Sequence, residues 1–242
     1  MQTPRRIVCL SAEAADWLWR LGAWERVAGV TAFYRPPAGS PARPRLGGFT
    51  TARLDEITAL DPDLVITFSD VQAGLAAELI RRGLPVLATN QRTLAETEST
   101  LALVARAVGR EAEAAPLLAE FRARLAPVPA PRRRPRIYFE EWPDPLVTGI
   151  AWVGELIERA GGRDLFPAGS GQRAAAQRAV AAGAVLAAQP EMILACWCGK
   201  PFRRAVIAAR PGWADLPAVR AGRVHGLPPE DFLQPGFRLV FG

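Results

Sequence analysis

One sequence pattern occurs twice in the chain. Residues 54–66 (LDEITALDPDLVI) align with residues 182–194 (AGAVLAAQPEMIL), keeping an Ile/Val, an Ala, a Pro, an acidic residue and an apolar run in step. Proline lacks the N–H that would continue a helix, so each copy predicts a short helix that ends before the proline. The apolar run that follows is typical of a buried parallel strand. Two similar halves predict two lobes with a cleft between them.

The rest of the chain alternates strand and helix patterns, and 50% of its 242 residues are hydrophobic. We therefore predict an α/β fold: two Rossmann-like lobes with parallel-rich sheets, joined by one long connecting helix. The predicted N-terminal lobe is 1–108, the connecting helix and linker 109–130, and the C-terminal lobe 131–242. Ser11 is a predicted helix cap. The apolar pattern starting near Phe241 suggests a C-terminal helix that is short or missing.

The formal charge of +6 comes from arginine, because Lys200 is the only lysine. Such a charge could indicate an anionic partner, but the basic residues are scattered and no recognition motif accompanies them, so we predict no nucleic-acid binding. No apolar stretch approaches the roughly 20 residues of a membrane span, and a membrane-embedded protein is not expected. Residues 1–10 contain no export signal. The sequence as written therefore predicts a cytoplasmic location, and a chain trimmed at its N-terminus a periplasmic or extracytoplasmic one.

Residues that could support catalysis are scarce. His225 is the only histidine, which excludes a metal site built on several imidazoles, and we interpret it as a structural residue. No nucleophile elbow, phosphate-binding glycine loop or dinucleotide fingerprint is present. The spacing of the three cysteines fits neither a disulfide framework nor a zinc pair, and they are expected to be reduced: Cys9, Cys196 and Cys198. We predict no catalytic residue, no metal and no catalytic cofactor.

Aromatic residues cluster at predicted strand ends. Ligands of open parallel sheets bind beyond the carboxyl ends of the strands, and rigid aromatic faces suit a large flat ligand. Glu140 and Glu141 are adjacent, so in a strand they point to opposite faces and only one can enter the cleft. The alternative is that individual aromatics belong to the core. The predicted ligand-binding residues are Phe33, Tyr34, Phe49, Phe68, Glu141, Trp142, Trp152, Trp197 and Phe232.

Several segments, in their order and spacing, resemble the cobalamin- and iron-siderophore-binding proteins of ABC importers, with the cobalamin branch closest. The resemblance spans nearly the whole chain and implies two rigid lobes that hold a corrinoid among cleft aromatics without catalysis. Phe33, Phe49 and Phe68 match aromatic contact positions of that branch, where Tyr or Trp is more usual. The matching segments are 6–11, 27–30, 54–66, 155–162, 180–194, 213–219 and 222–224.

The resemblance also implies a partner, an ABC permease. Importing members present one acidic residue on each lobe to arginines of the permease. Here Asp55 or Glu56 occupies that position in the first lobe, but Gly183 occupies it in the second. Since charges at the rim of an interface steer association, docking is expected to be weakened. Both import and intracellular corrinoid handling remain open.

The sequence therefore predicts non-catalytic binding of a cobalamin-like corrinoid in an aromatic-lined cleft between the lobes. On the same scaffold the alternative ligand is haem or a ferric siderophore, with Tyr34 on iron and arginines on carboxylates or catecholates. These arginines are Arg35, Arg45, Arg203 and Arg204. A second alternative is an enzyme acting on a bulky substrate with Glu141 as acid or base. A third is an interaction protein with an occluded cleft.

Overall fold

The computed structural model describes residues 3–129, 131–169 and 172–242, which form two compact units. Of these described residues, unit 1 comprises 3–91, 95–121 and 236–238, and unit 2 comprises those within 92–94, 122–235 and 239–242. Each unit thus includes a short segment from a distant part of the chain, which no sequence pattern indicates. None of the helices in the described ranges combines the length and apolarity needed to cross a membrane.

Unit 1 is built on a parallel four-stranded sheet with the order β2-β1-β3-β4. Its strands are β1 (Ile7–Cys9), β2 (Val27–Val30), β3 (Leu64–Phe68) and β4 (Val86–Thr89). The helices of this part of the chain are α1 (Ala12–Arg20), α2 (Leu54–Ala59), α3 (Ala73–Arg81), α4 (Leu94–Ala107) and α5 (Glu111–Arg124). Ser11 occupies the N-cap position of α1 as predicted, and its side chain makes no capping hydrogen bond.

Unit 2 contains a second parallel four-stranded sheet, with the order β10-β9-β5-β8, and a small antiparallel hairpin. The sheet strands are β5 (Arg136–Glu140), β8 (Arg163–Asp164), β9 (Met192–Ala195) and β10 (Val224–Gly226), and the hairpin strands are β6 (Trp142–Pro143) and β7 (Leu146–Val147). Its helices are α6 (Ala151–Arg159), α7 (Ala182–Ala188), α8 (Arg204–Ala208), α9 (Pro217–Arg220) and α10 (Pro229–Phe232).

The two sheets have the same topology. Read from its other edge, the order β8-β5-β9-β10 repeats β2-β1-β3-β4, with β9 in the place of β3. The backbone repeats as well: Asp61 and Gln189, each just before the proline that follows α2 or α7, both adopt left-handed conformations, with φ of 46° and 47°. A left-handed residue ends a helix, and the residue before proline avoids the helical region. The predicted α/β fold with parallel sheets and two lobes is confirmed.

Candidate ligand-binding surfaces

In unit 1, two phenylalanines form an aromatic surface beyond the carboxyl end of β2. The side chain of Phe33 is 50% exposed. Its ring centroid lies 5.4 Å from that of the half-buried Phe49, with the planes inclined by 33°. This distance is typical of paired aromatic rings. The structure therefore brings together two of the predicted ligand contacts on one surface.

The loop that carries Phe49 is attached to the sheet. The Leu46 amide donates to the Val30 carbonyl at 2.9 Å, and the Ala32 amide donates to the Gly47 carbonyl at 2.9 Å. Gly47 has a φ of 106°, and a Cβ at this position would lie 2.3 Å from the Thr51 carbonyl oxygen. Only glycine fits such a backbone. The proline-rich segment is therefore fixed to the edge of β2, just before the Phe49 ring.

The other two predicted aromatics of unit 1 are buried. Tyr34 packs against Trp24, with ring centroids 5.7 Å apart, and its hydroxyl has no hydrogen-bond partner within the described ranges. Burial raises the pKa of the Tyr34 phenol well above its usual range. Phe68, the last residue of β3, is 6% exposed. Neither ring is presented to solvent beside Phe33.

In unit 2, a buried carboxylate organises the carboxyl end of β5. Glu140 is fully buried and accepts hydrogen bonds from three side chains. Trp197 Nε1 donates at 2.9 Å, the Tyr138 hydroxyl at 3.2 Å, and the two terminal nitrogens of Arg210 at 2.6 and 2.9 Å. Arg210 also lies over the ring of Trp213, 4.5 Å from its centroid. The predicted contact Trp197 is therefore 5% exposed and held in a fixed orientation by Glu140.

Glu141 lies on the other side of the strand end and forms a second ion pair. Its two carboxylate oxygens accept hydrogen bonds from the guanidinium of Arg178, at 2.5 and 3.2 Å. Arg178 also donates to the Thr148 carbonyl and is almost fully buried. The carboxylate predicted to contact a ligand thus already has a bidentate partner from its own unit.

Trp142 provides the half-buried aromatic surface of unit 2. Its indole N–H donates to the Asp144 carbonyl at 2.9 Å within the β6–β7 turn. The ammonium of Lys200 lies 4.0 Å from the centre of the indole ring, a favourable distance for a cation on an aromatic face. Trp142 and Lys200 together offer one flat face and one positive charge. Cys198, in the same loop as Lys200, is exposed.

Trp152 and Phe232 lie elsewhere in unit 2. Trp152 is fully buried, and its indole N–H donates to the Phe232 carbonyl at 2.8 Å. Phe232 lines a largely apolar cavity of about 490 Å³ between α6 and the strands β5 and β9. The structure does not group these two predicted contacts with Trp142 or Trp197.

Other predicted roles can also be located. No group of three or more metal-ligating side chains occurs in the portion of the chain that the structure describes. His225 is exposed on β10, while Cys9 and Cys196 are buried. The four arginines considered for an anionic ligand are exposed: Arg35, Arg45, Arg203 and Arg204.

The predicted docking acids on α2 are each paired within unit 1. Asp55 accepts a hydrogen bond from Arg82 at 2.6 Å, and Glu56 lies 2.8 Å from Arg53. Gly183 is exposed on α7. The α2 surface therefore carries both signs of charge.

Sequence reasoning missed the residues that hold these surfaces in place. Arg178 and Arg210 are far in sequence from the glutamates that they pair with, so no local spacing indicates either contact. Gln72 is not among the residues that the sequence predicts for the site. The sequence contains one weak indication of such a contact at Glu140, because a carboxylate in an otherwise apolar strand requires a buried partner.

The sequence model of the periplasmic binding protein family matches residues 7–230. The chain belongs to this family. Its members are binding proteins rather than enzymes, and the paired parallel sheets fit this relationship. The expectation of a substrate-binding protein family is confirmed.

Several similar proteins are named for cobalamin, vitamin B12 or haem. A cobalamin-binding protein of Halobacterium salinarum is 30% identical over 171 residues, which is 67% of this chain but only 46% of that protein. The chain thus spans about half the length of this relative. A haem-binding protein of Roseiflexus has a TM-score of 0.80 at 23% identity, covering 98% of this chain and 94% of its own. A vitamin B12-binding protein of Vibrio cholerae has a TM-score of 0.73 at 20% identity, covering 98% and 93%.

Proposed function

We propose that the protein binds a cobalamin-like corrinoid without chemical turnover. The observation that carries this proposal is a partly exposed aromatic surface at the strand ends of each unit: Phe33 with Phe49 in unit 1, and Trp142 with Lys200 in unit 2. A corrin ring offers an extended apolar face for stacking. Its side chains are mostly amides, and the phosphate of a complete cobalamin would be a suitable partner for the Lys200 ammonium.

The position of Tyr34 favours a corrinoid over a ligand that needs a phenolate on its metal. Its hydroxyl is buried beside Trp24, and burial raises the pKa of the phenol, so the phenolate that would bind a metal is harder to form. The cobalt of a cobalamin already carries axial ligands, so stacking and hydrogen bonds suffice to hold it. Glu141, paired with Arg178, is likewise a poor candidate for a general acid or base.

The names of the relatives support the same ligand class, because two of the proteins reported above are named for cobalamin or vitamin B12. We propose an ABC permease as the partner, with α2 as the docking helix of unit 1. Since Asp55 and Glu56 already pair with Arg82 and Arg53, an arginine of the permease would have to compete with them, and we expect docking to be weak.

Calorimetric titration with cobalamin, cobinamide and haem tests the proposal. We expect micromolar or tighter binding of the corrinoids, which corresponds to about −8 kcal/mol, and no comparable binding of haem. Cobinamide lacks the nucleotide and its phosphodiester, so its affinity relative to cobalamin measures what the whole nucleotide loop contributes, the proposed Lys200–phosphate contact included. Failure of both corrinoids to bind would contradict the proposal.

Haem is the second candidate, and one observation favours it. His225 is exposed on β10, so its imidazole is accessible as an iron ligand. If haem is the ligand, its Soret band should shift when it binds to the protein. His225→Ala should abolish this shift while leaving the fold intact. If a corrinoid is the ligand, the same substitution should change the cobalamin affinity by less than about twofold, because no contact on the metal is lost.

A further inference from the structure

Gln72 lies at the point of unit 1 where the strand order reverses. In the order β2-β1-β3-β4, the chain first moves from β1 to β2 and then crosses to β3 on the other side of β1. The crevice at such a switch point, between the carboxyl ends of β1 and β3, is the usual ligand position in open α/β sheets. The side chain of Gln72 fills it and is 1% exposed.

The amide of Gln72 joins three separate segments. Its Nε2 donates to the Leu10 carbonyl, which follows β1, at 3.0 Å, and to the Phe49 carbonyl at 2.9 Å. Its Oε1 accepts from the amide of Phe68, the last residue of β3, at 2.8 Å. A primary amide supplies two N–H donors and one acceptor, and all three are used here. A glutamate at this position would lack the N–H donors, and a methionine would lack both the donors and the acceptor.

A strained turn brings Gln72 to this position. Ser69 adopts a φ of 65°, which is rare for a residue other than glycine, and its hydroxyl accepts from the Val71 amide at 3.3 Å. The Ser69 amide donates to the Thr89 carbonyl at 2.7 Å, and the Gln72 amide donates to the Ser69 carbonyl at 3.1 Å. The chain therefore folds back at the end of β3, and the Gln72 side chain returns beneath the loop that carries Phe49. Strained backbone of this kind is found preferentially at functional sites.

We infer that Gln72 is a positioning residue of the unit 1 ligand surface. It anchors the main chain of Phe49 to β1 and β3, and the Phe49 ring in turn contacts Phe33. The Ala32 amide also donates a hydrogen bond to the Gly47 carbonyl. This bond and the bond from Gln72 to the Phe49 carbonyl fix the loop on both sides of Gly48. Gln72 acts through the backbone and need not touch the ligand. The inference rests on the proposed function where affinity is concerned, but its structural part does not depend on the ligand.

The first test therefore uses no ligand. Amide hydrogen exchange, followed by mass spectrometry of peptides covering residues 45–53, is compared between wild type, Gln72→Met, Gln72→Glu and Thr89→Val. Thr89 is the matched control, because its buried hydroxyl donates to the Thr67 carbonyl at 3.1 Å in the same sheet without contacting the loop. We expect both Gln72 variants to accelerate exchange in this segment about tenfold or more, and Thr89→Val to leave it unchanged. Unchanged exchange in folded Gln72→Glu would overturn the inference, even if Gln72→Met proved too unstable to study.

The second test is a double-mutant cycle on cobalamin affinity, combining Gln72→Met with Phe49→Ala. If Gln72 acts through Phe49, each single variant should weaken binding about tenfold, and the double variant should be little weaker than Phe49→Ala alone. A parallel cycle of Gln72→Met with Trp142→Ala, in unit 2, should be additive. Additivity in both cycles would overturn the positioning role. Absence of cobalamin binding by the wild type would instead reject the proposed ligand, and the exchange measurement would still decide on Gln72.

Discussion

The two units share one strand order but hold their aromatic residues in different ways. In unit 1, the neutral amide of Gln72 bonds only to backbone groups of Leu10, Phe49 and Phe68. In unit 2, the carboxylate of Glu140 bonds to side chains, those of Trp197, Tyr138 and Arg210. A backbone anchor fixes the course of a loop whatever side chain the loop carries. A side-chain anchor fixes one particular indole, so residue identity should matter more in unit 2.

The two units also differ in how each accommodates a buried acidic side chain. Glu140 is paired with Arg210. Glu13, in the first turn of α1, is 6% exposed, and its Oε1 accepts no hydrogen bond from the residues that the structure describes. Burial raises the pKa of Glu13 to about 7. Unit 2 therefore stabilises its buried carboxylate with a cation, and unit 1 favours the protonated form.

The largest effect is expected from breaking the ion pair of unit 2. Arg210→Met leaves the Glu140 carboxylate buried without its cation, and such a change typically costs about 3–5 kcal/mol of unfolding free energy. Gln72→Met in unit 1 removes neutral hydrogen bonds and should cost about 1–3 kcal/mol. Urea denaturation at pH 7 measures both.

A double variant serves as the control for this prediction. Glu140→Gln combined with Arg210→Met removes both charges, so it should cost less than Arg210→Met alone. If the costs of the two single substitutions simply add, the buried pair does not behave as a coupled unit, and the proposed contrast between the anchors fails.

The second prediction concerns Glu13 and pH. A carboxyl whose pKa is higher in the folded state than in the unfolded one favours folding at low pH, and that contribution is lost as pH rises from about 4.5 through 7. Glu13→Gln cannot ionise, so it should be more stable than wild type by about 3 kcal/mol at pH 8 and equal to it below about pH 4. Unfolding free energies of both proteins across this pH range provide the measurement.

Unit 2 supplies the opposite case. Glu140→Gln at pH 8 should destabilise the protein, because it leaves the partly buried Arg210 without its anion. If both glutamine substitutions shift stability in the same direction at pH 8, the assignment of a paired acid in one unit and an unpaired acid in the other is wrong.

Sequence reasoning predicted the parts of this molecule that depend on local patterns. The helix, proline and apolar strand of residues 54–66 recur at 182–194, and both form as predicted because proline and apolar runs act within a few residues. The hairpin of β6 and β7 and the short helices α8 and α10 were not predicted, since two to five residues are too few to show a period.

The site depends on contacts that no local pattern encodes. The alternation of a strand showed that Glu140 and Glu141 face opposite sides, but which one is buried is decided by Arg210 and Arg178, distant in sequence. Tyr34 follows Phe33 directly, yet packing against Trp24 buries one ring while its neighbour remains exposed. Because distant contacts of this kind decide which side chains can reach a ligand, the full set of predicted ligand contacts remains a prediction.

The smallest effect on stability is expected from the partly exposed rings of Phe33 and Trp142. The same substitutions test most directly whether both units serve one ligand. Phe33→Ala and Trp142→Ala should each weaken cobalamin binding about tenfold, because each removes a stacking face of roughly 1–2 kcal/mol. Both rings are partly exposed, so unfolding free energies should change by less than about 0.5 kcal/mol. Ile80→Ala, at a residue 61% exposed on α3, is the matched surface control and should leave affinity unchanged. Calorimetry gives all three values. If Phe33→Ala weakens binding while Trp142→Ala does not, ligand recognition belongs to unit 1, and the indole anchored to the β6–β7 turn of unit 2 has a different role.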